Sequence, residues 1–370
     1  MKILQIIQRS QLRGAELFAC QLSTELQKQG HQVDVLVLFE KKSDIFKFEL
    51  PFYYLEANEQ KRWWDFKTYK KLSLFIKNGE YDIVQANAGD TLKYASLSKK
   101  LYRWKAKFVF RNANKISGFL TNRFKKNLNT WLMQEVDFVA SVSEECTLDF
   151  KKIFPFIHNR IECLPIGVDL NSPKPYNSLN EIGISDDGPF ILHVGGFMPE
   201  KNHKGLIRIF SNLIQEIPNA KLLLIGEGKL KTEIVALVSQ MELSQNVVFL
   251  GRRSDVQQIM SCCQVLVLPS LIEGLPGVIL ESFVNKLPVV AYNVGGIKEV
   301  VVDQKTGWLI GVNDEAAFMD AIKKVLIFNN DSIKIQAYQL VNNKYRIDYI
   351  AKQFENAYSR LILTKKINVK

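Results

Sequence analysis

The chain has 370 residues, 47% of them hydrophobic and 24% charged, which is typical of a folded globular protein and excludes a disordered one. A chain of this length normally folds around more than one hydrophobic core, so two domains are predicted. The five cysteines form no CxxC pair or zinc spacing, and neither a run of eighteen apolar residues nor a signal sequence is present, which together favour a cytoplasmic protein without a membrane span.

The net charge of +11 is concentrated in one stretch of the chain. Residues 61–126 hold 17 Lys and Arg against 4 Asp and Glu, and aromatic residues such as Trp63, Trp64 and Phe66 alternate with the basic ones. One interpretation is a solvated, lysine-rich helical face. The other is a surface that lies against anionic lipid headgroups. Nucleic acid is not predicted as a partner, because no recognition motif accompanies the charge.

The first half of the chain reads as alternating strands and helices. A buried strand over residues 2–8 is followed by a turn containing Gly14 and by a helix with apolar residues at helical spacing. Glycine at such a turn either completes the turn or brings a backbone amide close to a phosphate. Further strands are predicted over residues 33–38, 81–87, 108–112, 136–142 and 161–165. Polar residues at the end of the strand over residues 108–112, Arg111 and Asn112 among them, indicate either a site or a capping loop.

The second half begins anew after a polar segment rich in Pro, Ser, Asn and Asp. Strands are predicted from about residues 190, 222, 247, 265, 289 and 308, with helices between them. This pattern indicates a second doubly wound α/β unit. The predicted organisation is a domain over 1–170, a linker over 171–189, a domain over 190–345 and a C-terminal helix over 346–370. Packing of this helix back on the first domain is one open arrangement.

The segment from Ser270 to Glu281 has the features of a ligand site. It follows an apolar strand, and a short helix opens near Gly277. Ligands of open α/β sheets bind outside the carboxyl ends of strands, and helix amides there favour phosphate. Glu273 and Glu281 stand on either side of that helix start, where carboxylates can accept hydrogen bonds from sugar hydroxyls. The segment therefore predicts a site for a phosphorylated sugar.

Three other segments accompany this one. Lys201 lies in a loop between a strand and a helix, where its charge could neutralise phosphate. Arg252 and Arg253 follow the strand that begins at residue 247. A Pro-Val-Val-Ala strand over 288–291 leads into a glycine loop, and a further strand follows at 308.

This ordered set resembles the retaining glycosyltransferases of family GT4, which have the GT-B architecture of two Rossmann-like domains facing across a cleft. The resemblance covers nearly the whole chain. The most specific part is Glu273-x7-Glu281 with its neighbouring "LPS", "EGLP" and "PVVA" sequences. Weaker parts are the Arg13–Glu16 turn, similar to a Gly-Gly-x-Glu loop, and segments similar to "VSE" and "NGVD" at residues 142–144 and 166–169.

The resemblance implies which residues act in the site. Glu281 would bind the ribose hydroxyls and Glu273 the hydroxyls of the donor sugar, while Lys201 and helix amides would face the diphosphate leaving group. Glu273 and Lys201 are the implied catalytic residues. The implied donor-binding residues are Gly14, Lys201, Arg252, Arg253, Glu273, Gly277, Val278 and Glu281. Asn87 and Asn112 are assigned to the acceptor or sugar side.

Two positions depart from the family pattern. Many members carry an arginine five residues before the lysine, where this chain has Gly196. Many also carry a histidine at the position of Asn112, which can form hydrogen bonds but cannot take a proton. We therefore expect Lys201, or an arginine such as Arg252 or Arg253, to do more of the phosphate binding. None of the four histidines is expected to replace the missing one.

The predicted function is transfer of a hexose or N-acetylhexosamine, with retention, from a nucleotide-diphosphate sugar to a glycan acceptor. The acceptor is expected to be lipid-linked, within surface polysaccharide synthesis at the inner face of the membrane. No cofactor and no metal are predicted, since the chain lacks an Asp-x-Asp triplet, and uridine is the default base. The alternatives are a non-catalytic nucleotide-sugar-binding or scaffold subunit and a GT-B-type sugar-nucleotide epimerase. A dinucleotide oxidoreductase is disfavoured by the absence of GxGxxG.

Overall fold

The computed structural model describes residues 1–11, 13–39, 48–120, 122–171, 173–185 and 188–367, and only the backbone of the last four. The chain forms two compact units, one of Met1–Gly167 with Ile347–Lys370 and the other of Val168–Arg346. None of the helices in the described residues is long and apolar enough to cross a membrane.

The first unit is built on a parallel sheet of seven strands within the described residues. In chain order they are β1 (Lys2–Ile7), β2 (Gln32–Val37), β3 (Phe52–Tyr54), β4 (Ile83–Ala86), β5 (Lys107–Asn112), β6 (Phe138–Ser141) and β7 (Ile161–Cys163). Their order across the sheet is β3-β2-β1-β4-β5-β6-β7. The central strands are buried along most of their length, as expected for a parallel sheet covered on both faces. The numbering of the strands changes direction between β1 and β4, so the switch point of this sheet lies there.

Five α-helices connect these strands within the described residues. They are α1 (Gly14–Lys28), α2 (Phe66–Gly79), α3 (Gly89–Tyr102), α4 (Arg123–Met133) and α5 (Glu144–Ile153). Ser143 caps α5 by accepting a hydrogen bond from the Cys146 amide at 3.2 Å.

The second unit has six parallel strands within the described residues. They are β8 (Phe190–Val194), β9 (Lys221–Ile225), β10 (Val247–Gly251), β11 (Val265–Leu268), β12 (Val289–Tyr292) and β13 (Trp308–Ile310). The helices are α6 (His203–Glu216), α7 (Lys231–Gln240), α8 (Val256–Met260), α9 (Gly277–Val284), α10 (Glu315–Ile327) and α11 (Asp331–Lys344). The sheet order is β10-β9-β8-β11-β12-β13, so its switch point lies between β8 and β11.

The segment predicted as a linker belongs to the second unit. Tyr176 donates a hydrogen bond to Asp255 at 2.6 Å, and Leu179 is fully buried, so this polar stretch packs on the domain that follows it. Residues 172, 186 and 187 of the predicted linker lie outside the described residues. The chain passes between the units at Gly167 and at Arg346.

The last helix, α12 (Ile347–Ile367), is part of the first unit and packs on α1. The rings of Phe354 and Phe18 lie 5.9 Å apart, and both side chains are buried. The buried guanidinium of Arg111 lies 4.0 Å from the Phe18 ring centroid and 5.4 Å from that of Phe354. Burial lowers the pKa of Arg111 to about 9, so this group stays charged at neutral pH between two aromatic faces. Residues 368–370 of the predicted C-terminal segment lie outside the described residues.

We expect Phe354→Ala to lower the free energy of unfolding of the first unit by about 3–5 kcal/mol, because it removes a fully buried ring. Urea denaturation followed by tryptophan fluorescence measures this, since four of the five tryptophans precede Gly167. Leu363→Ala is the matched control on the same helix, because Leu363 is 57% exposed. Equal effects of the two substitutions would contradict the packing of α12.

Candidate active site in the second unit

The loops after β8 and β11 form the candidate site at the switch point of the second sheet. Backbone and side-chain hydrogen bonds hold these loops together. The Leu271 amide donates to the Glu200 carbonyl at 2.8 Å, and Asn202 Nδ2 donates to the Pro269 carbonyl at 3.1 Å. Two loops that lie far apart in sequence therefore form one rigid edge.

Lys201 and Glu273 meet at this edge. Lys201 ends a short 3-10 helix, Pro199–Lys201, and its Nζ donates to Glu273 Oε1 at 2.5 Å. Glu273 is 5% exposed, and Lys201 keeps part of its side chain open to solvent. A buried carboxylate is stable as an anion only when paired, so the lysine holds the charge of Glu273 in place. The structure thus brings together the two residues predicted as catalytic.

The glycine loop after β12 positions the Glu273 backbone. Gly295 has a φ of +53°, and a β-carbon there would collide with the Glu273 carbonyl oxygen. The amide of Gly296 donates to the Gly274 carbonyl at 2.6 Å. Only glycine allows this close approach, which explains the glycine at position 295.

Helix α9 begins beside Glu273. Its N-cap residue is Pro276, which offers no side-chain hydrogen bond to the first helical amides. The first two residues, Gly277 and Val278, therefore present their N–H groups at the positive end of the helix dipole. This arrangement suits an anionic group such as phosphate.

Glu281 lies one turn further along α9 and is half-buried. No described residue gives its carboxylate a hydrogen bond or an ion pair. Burial raises the pKa of Glu281 to about 7. An unpartnered acceptor held at this position is chemically suited to a pair of ligand hydroxyl groups.

Arg252 and Arg253 have different surroundings. Arg253 forms a bidentate pair with Asp255, with Nε–Oδ1 and Nη2–Oδ2 distances of 2.8 and 2.5 Å. The Tyr176 hydroxyl donates to the same carboxylate, and these two donors hold the pKa of Asp255 below its usual range although burial opposes them. Arg252 is exposed, and no ion pair is recorded for it among the described residues. Arg252 is therefore the arginine with a guanidinium available to a ligand.

Gly196 packs tightly against the loop after β9. A β-carbon on it would lie 3.3 Å from the Glu227 carbonyl oxygen, and the next amide, that of Phe197, donates to the same oxygen at 3.2 Å. The loop thus follows a path that leaves little room for a side chain in this direction. Lys201 is the one residue of the Gly196–Lys201 loop with a side-chain cation.

Two of the three candidate residues of the first unit, Gly14 and Asn87, follow β1 and β4 at its own switch point, and the third, Asn112, ends β5. Gly14 is the exposed first residue of α1, and Leu12 of the same turn lies outside the described residues. Asn87 is buried, accepts from Gln85 Nε2 at 2.9 Å and donates to Gln5 Oε1 at 2.9 Å. Asn112 is also buried and donates to Ser141 Oγ at 3.2 Å. Both asparagines are thus bonded within their own domain.

Two buried histidines beside Lys201 were missed by the sequence analysis. His193, near the end of β8, has Nδ1 2.8 Å from the Val267 carbonyl oxygen, and burial lowers its pKa to about 4. His203, the first residue of α6, stacks on Phe197 at a centroid distance of 4.2 Å. The available signal was their position at a strand end and a helix start. No group of three His, Cys, Asp or Glu in the described residues could hold a metal ion.

Comparisons with known proteins identify the family. Residues 12–172 match the family model described as Glycosyltransferase Family 4, and residues 177–339 match that described as Glycosyl transferases group 1. The chain belongs to glycosyltransferase family 4. The Anabaena protein HepE, solved in complex with UDP-glucose, is similar in structure with a TM-score of 0.84 at 19% identity, covering 97% of this chain and 100% of HepE. The predicted family and the fold of two Rossmann-like domains are confirmed.

Two curated relatives of this family 4 chain are similar over part of their length. N-acetyl-alpha-D-glucosaminyl L-malate synthase of Bacillus anthracis is 26% identical, covering 63% of this chain and 62% of the relative. N-acetylgalactosamine-N,N'-diacetylbacillosaminyl-diphospho-undecaprenol 4-alpha-N-acetylgalactosaminyltransferase of Campylobacter jejuni is 27% identical, covering 63% and 64%. The alignments thus span just under two thirds of each of these relatives.

We expect Glu281→Gln to stabilise the protein at neutral and basic pH. A carboxyl group whose pKa is about 7 when folded and near 4.5 otherwise reduces stability progressively as pH rises from 4.5 to 7. Glutamine does not titrate, so at pH 8 the variant should gain up to about 3 kcal/mol in unfolding free energy. Thermal unfolding at pH 5 and pH 8 measures this effect.

Glu315→Gln is the control for this prediction, because Glu315 is a carboxylate of α10 that is paired with Arg208. It should gain no stability at pH 8. A Glu281→Gln variant that is no more stable than the parent at pH 8 would contradict the raised pKa of Glu281.

Proposed function

We propose that this family 4 protein transfers a hexose or N-acetylhexosamine, with retention, from a nucleotide-diphosphate sugar to a lipid-linked glycan acceptor in surface polysaccharide synthesis. The observation that carries the proposal is the Lys201–Glu273 pair beside the free amides of α9 and the unpartnered Glu281. These groups supply a cation, phosphate-binding amides and two sets of hydroxyl acceptors at one switch point.

In the proposed reaction, the oxygen of an acceptor hydroxyl bonds to the anomeric carbon and the bond from that carbon to the diphosphate breaks. The leaving phosphate oxygen takes the acceptor proton, so no protein base is required. Lys201 and the Gly277 and Val278 amides stabilise the charge that develops on the diphosphate. Glu273 holds the hydroxyls of the sugar that is transferred, and Glu281 holds the ribose.

Further parts of the proposal concern the rest of the donor site. Gly14 of the first unit would bind the diphosphate through its amide, and Arg252 would add charge near the base, while Arg253 would act through Asp255. Asn87 and Asn112, at the carboxyl ends of β4 and β5, would line the part of the site that binds the acceptor or the transferred sugar. No metal and no cofactor take part in the proposed reaction.

The names of relatives support the choice of substrates. The Campylobacter relative is named for transfer to a diphospho-undecaprenol-linked sugar, and both curated relatives are named for alpha-linked products. HepE was solved with UDP-glucose, which supports uridine as the default base. Calorimetric titrations with UDP, GDP and ADP test this default. In the same titrations Glu281→Gln should weaken UDP binding about 10- to 100-fold, because the ribose would lose a charged acceptor.

A basic, aromatic surface of the first unit supports a peripheral membrane location at the cytoplasmic face. On α2 the outward residues include Phe66, Lys67 and Lys70, and Trp64, just before it, is 77% exposed. On α4 Phe124 is 76% exposed among basic neighbours. Aromatic rings and lysines that share an exposed surface suit the headgroup region of an anionic bilayer.

A non-catalytic nucleotide-sugar-binding subunit is the second candidate, favoured by Gly196 and Asn112, where many members of the family carry arginine and histidine. Such a subunit would bind UDP-sugar through the same groups without turnover. An epimerase would convert the free donor in the absence of acceptor. The next experiment separates these three.

We expect Glu273→Ala and Glu273→Gln to lower the turnover number for transfer by about 100-fold or more, because the donor sugar loses its positioning group. UDP affinity should stay within a few-fold of the parent. The measurement is release of UDP from UDP-sugars with lipid-linked glycan acceptors, together with calorimetry. Glu315→Ala is the control and should keep parental turnover. Sugar conversion without acceptor, or a parent chain that binds UDP-sugar and never transfers, would contradict the proposal.

We expect the protein to sediment with vesicles that contain phosphatidylglycerol and to detach as salt is added. Lys67→Ala and Lys70→Ala should each weaken binding about 5-fold, from roughly 1 kcal/mol per basic residue near the surface. Trp64→Ala should weaken it further. Phe328→Ala serves as the control, since Phe328 is 64% exposed on the second unit. Vesicle binding that does not depend on the charge of the lipid would rule out a role for this surface.

A further inference from the structure

The buried imidazole of His193 has a defined tautomer. Its Nδ1 lies 2.8 Å from the carbonyl oxygen of Val267 on the neighbouring strand β11. A carbonyl oxygen only accepts hydrogen bonds, so Nδ1 carries the hydrogen of the neutral ring. Nε2 is therefore the acceptor nitrogen.

The acceptor nitrogen of His193 is buried, and no described residue donates a hydrogen bond to it. A β-carbon built on Gly195 would lie 2.9 Å from His193 Nε2 and 3.6 Å from Lys201 Cδ. The imidazole nitrogen and the lysine side chain thus flank the same glycine. A buried acceptor without a hydrogen-bond donor is unfavourable. The position of this nitrogen next to a lysine therefore indicates that it gains a donor in a functional state of the protein.

The ring stays neutral in the working range of pH. Burial lowers the pKa of His193 to about 4, and the charge of Lys201 lowers it further against the opposing effect of Glu273. A protonated ring would repel the ammonium group and would lose its acceptor. The neutral ring can accept from a cation without adding charge to the site.

In the described structure one Lys201 N–H is used by Glu273, at 2.5 Å. Under the proposed function both residues acquire new partners when the donor binds, because Glu273 must accept from sugar hydroxyls and Lys201 must face the diphosphate. The ammonium group has three N–H donors on a flexible stem. Nε2 of His193, a fixed neutral acceptor across Gly195 from the lysine, would set the direction in which the ammonium group points.

We infer that His193 is a positioning residue whose Nε2 accepts a hydrogen bond from the Lys201 ammonium group in the donor-bound state. The inference rests on the proposed function, in which Lys201 neutralises the leaving diphosphate. His193 touches neither substrate nor the reacting atoms, and it acts through the lysine.

Two substitutions separate the two nitrogens of the ring. In His193→Asn the amide nitrogen replaces Nδ1 and keeps the bond to Val267, while the Nε2 acceptor is lost. In His193→Gln the amide group reaches the position of Nε2, where its oxygen can accept from Lys201. We expect His193→Asn to lower kcat/KM about 10- to 100-fold, mainly through kcat, and His193→Gln to recover part of the loss.

The separate values of kcat and KM provide a measurement that a loss of structure would not reproduce. Without the acceptor the ammonium group is placed less accurately in the transition state, so kcat of His193→Asn should fall while KM for the donor stays within about twofold of the parent. In the unmodified protein, 15N imidazole spectra should show an unprotonated Nε2 whose signal changes when UDP-sugar is added. These spectra need no variant to fold.

His203→Phe is the matched control. His203 is equally buried, stacks on Phe197, lies edge-on to the His193 ring at a centroid distance of 4.8 Å, and has no hydrogen-bond partner for its ring nitrogens among the described residues. Phenylalanine keeps the stacking and removes the polar atoms, so kcat/KM should stay within about twofold of the parent.

The outcomes distinguish this inference from the function on which it rests. If Lys201→Ala is inactive while His193→Asn stays within twofold of the parent, the positioning role is overturned and the transferase proposal stands. A protonated Nε2 in the spectra overturns it as well. If the parent transfers no sugar and Lys201→Ala binds UDP-sugar like the parent, the proposed function itself fails.

Discussion

The pairing of the buried Glu273 carboxylate with Lys201 is the interaction on which the second unit's site depends. The carboxylate would be unstable at this depth without a partner, since an unpaired buried charge costs several kcal/mol, whereas Lys201 keeps part of its side chain open to solvent. The loops after β8 and β11, joined by their own hydrogen bonds, bring the two side chains together, and Gly295 lets a third loop approach. Under the proposed function the same two side chains receive the phosphorylated sugar. The ion pair would then hold the free site together and would separate when the ligand binds.

Features set by local pattern were predictable from the sequence. Each strand of the second sheet begins within one residue of its predicted start, because short apolar runs bounded by turn residues favour buried strands. The start of α9 between Glu273 and Glu281 follows from an equally local signal. The family membership also rests on such runs, which explains why it could be predicted from one sequence.

Features set by distant partners were not predictable. The sequence does not distinguish a polar side chain that has no partner among the described residues, like Glu281 on α9, from one that bonds to the next strand, like Asn112 at the end of β5. Arg253 pairs locally with Asp255, but the hydroxyl that completes the hydrogen bonding of that carboxylate comes from Tyr176, which the polar composition of its segment had placed in a linker. The tautomer of His193 depends on a carbonyl group of another strand. In all three cases the deciding atom lies far along the chain, and hydrogen bonding of buried groups, not local propensity, decides the outcome.

Helix α12 has a consequence for how the protein is made. It supplies Phe354 to the aromatic pair that encloses Arg111, yet it is synthesised after the entire second unit. Domains generally fold from the N-terminus as they leave the ribosome. Here the first unit emerges from the ribosome without one of its helices. One side of Arg111 and Phe18 therefore stays uncovered while Val168–Arg346 is translated. The domain that begins folding first is thus the one completed last, and a chaperone would meet this nascent chain at that open face.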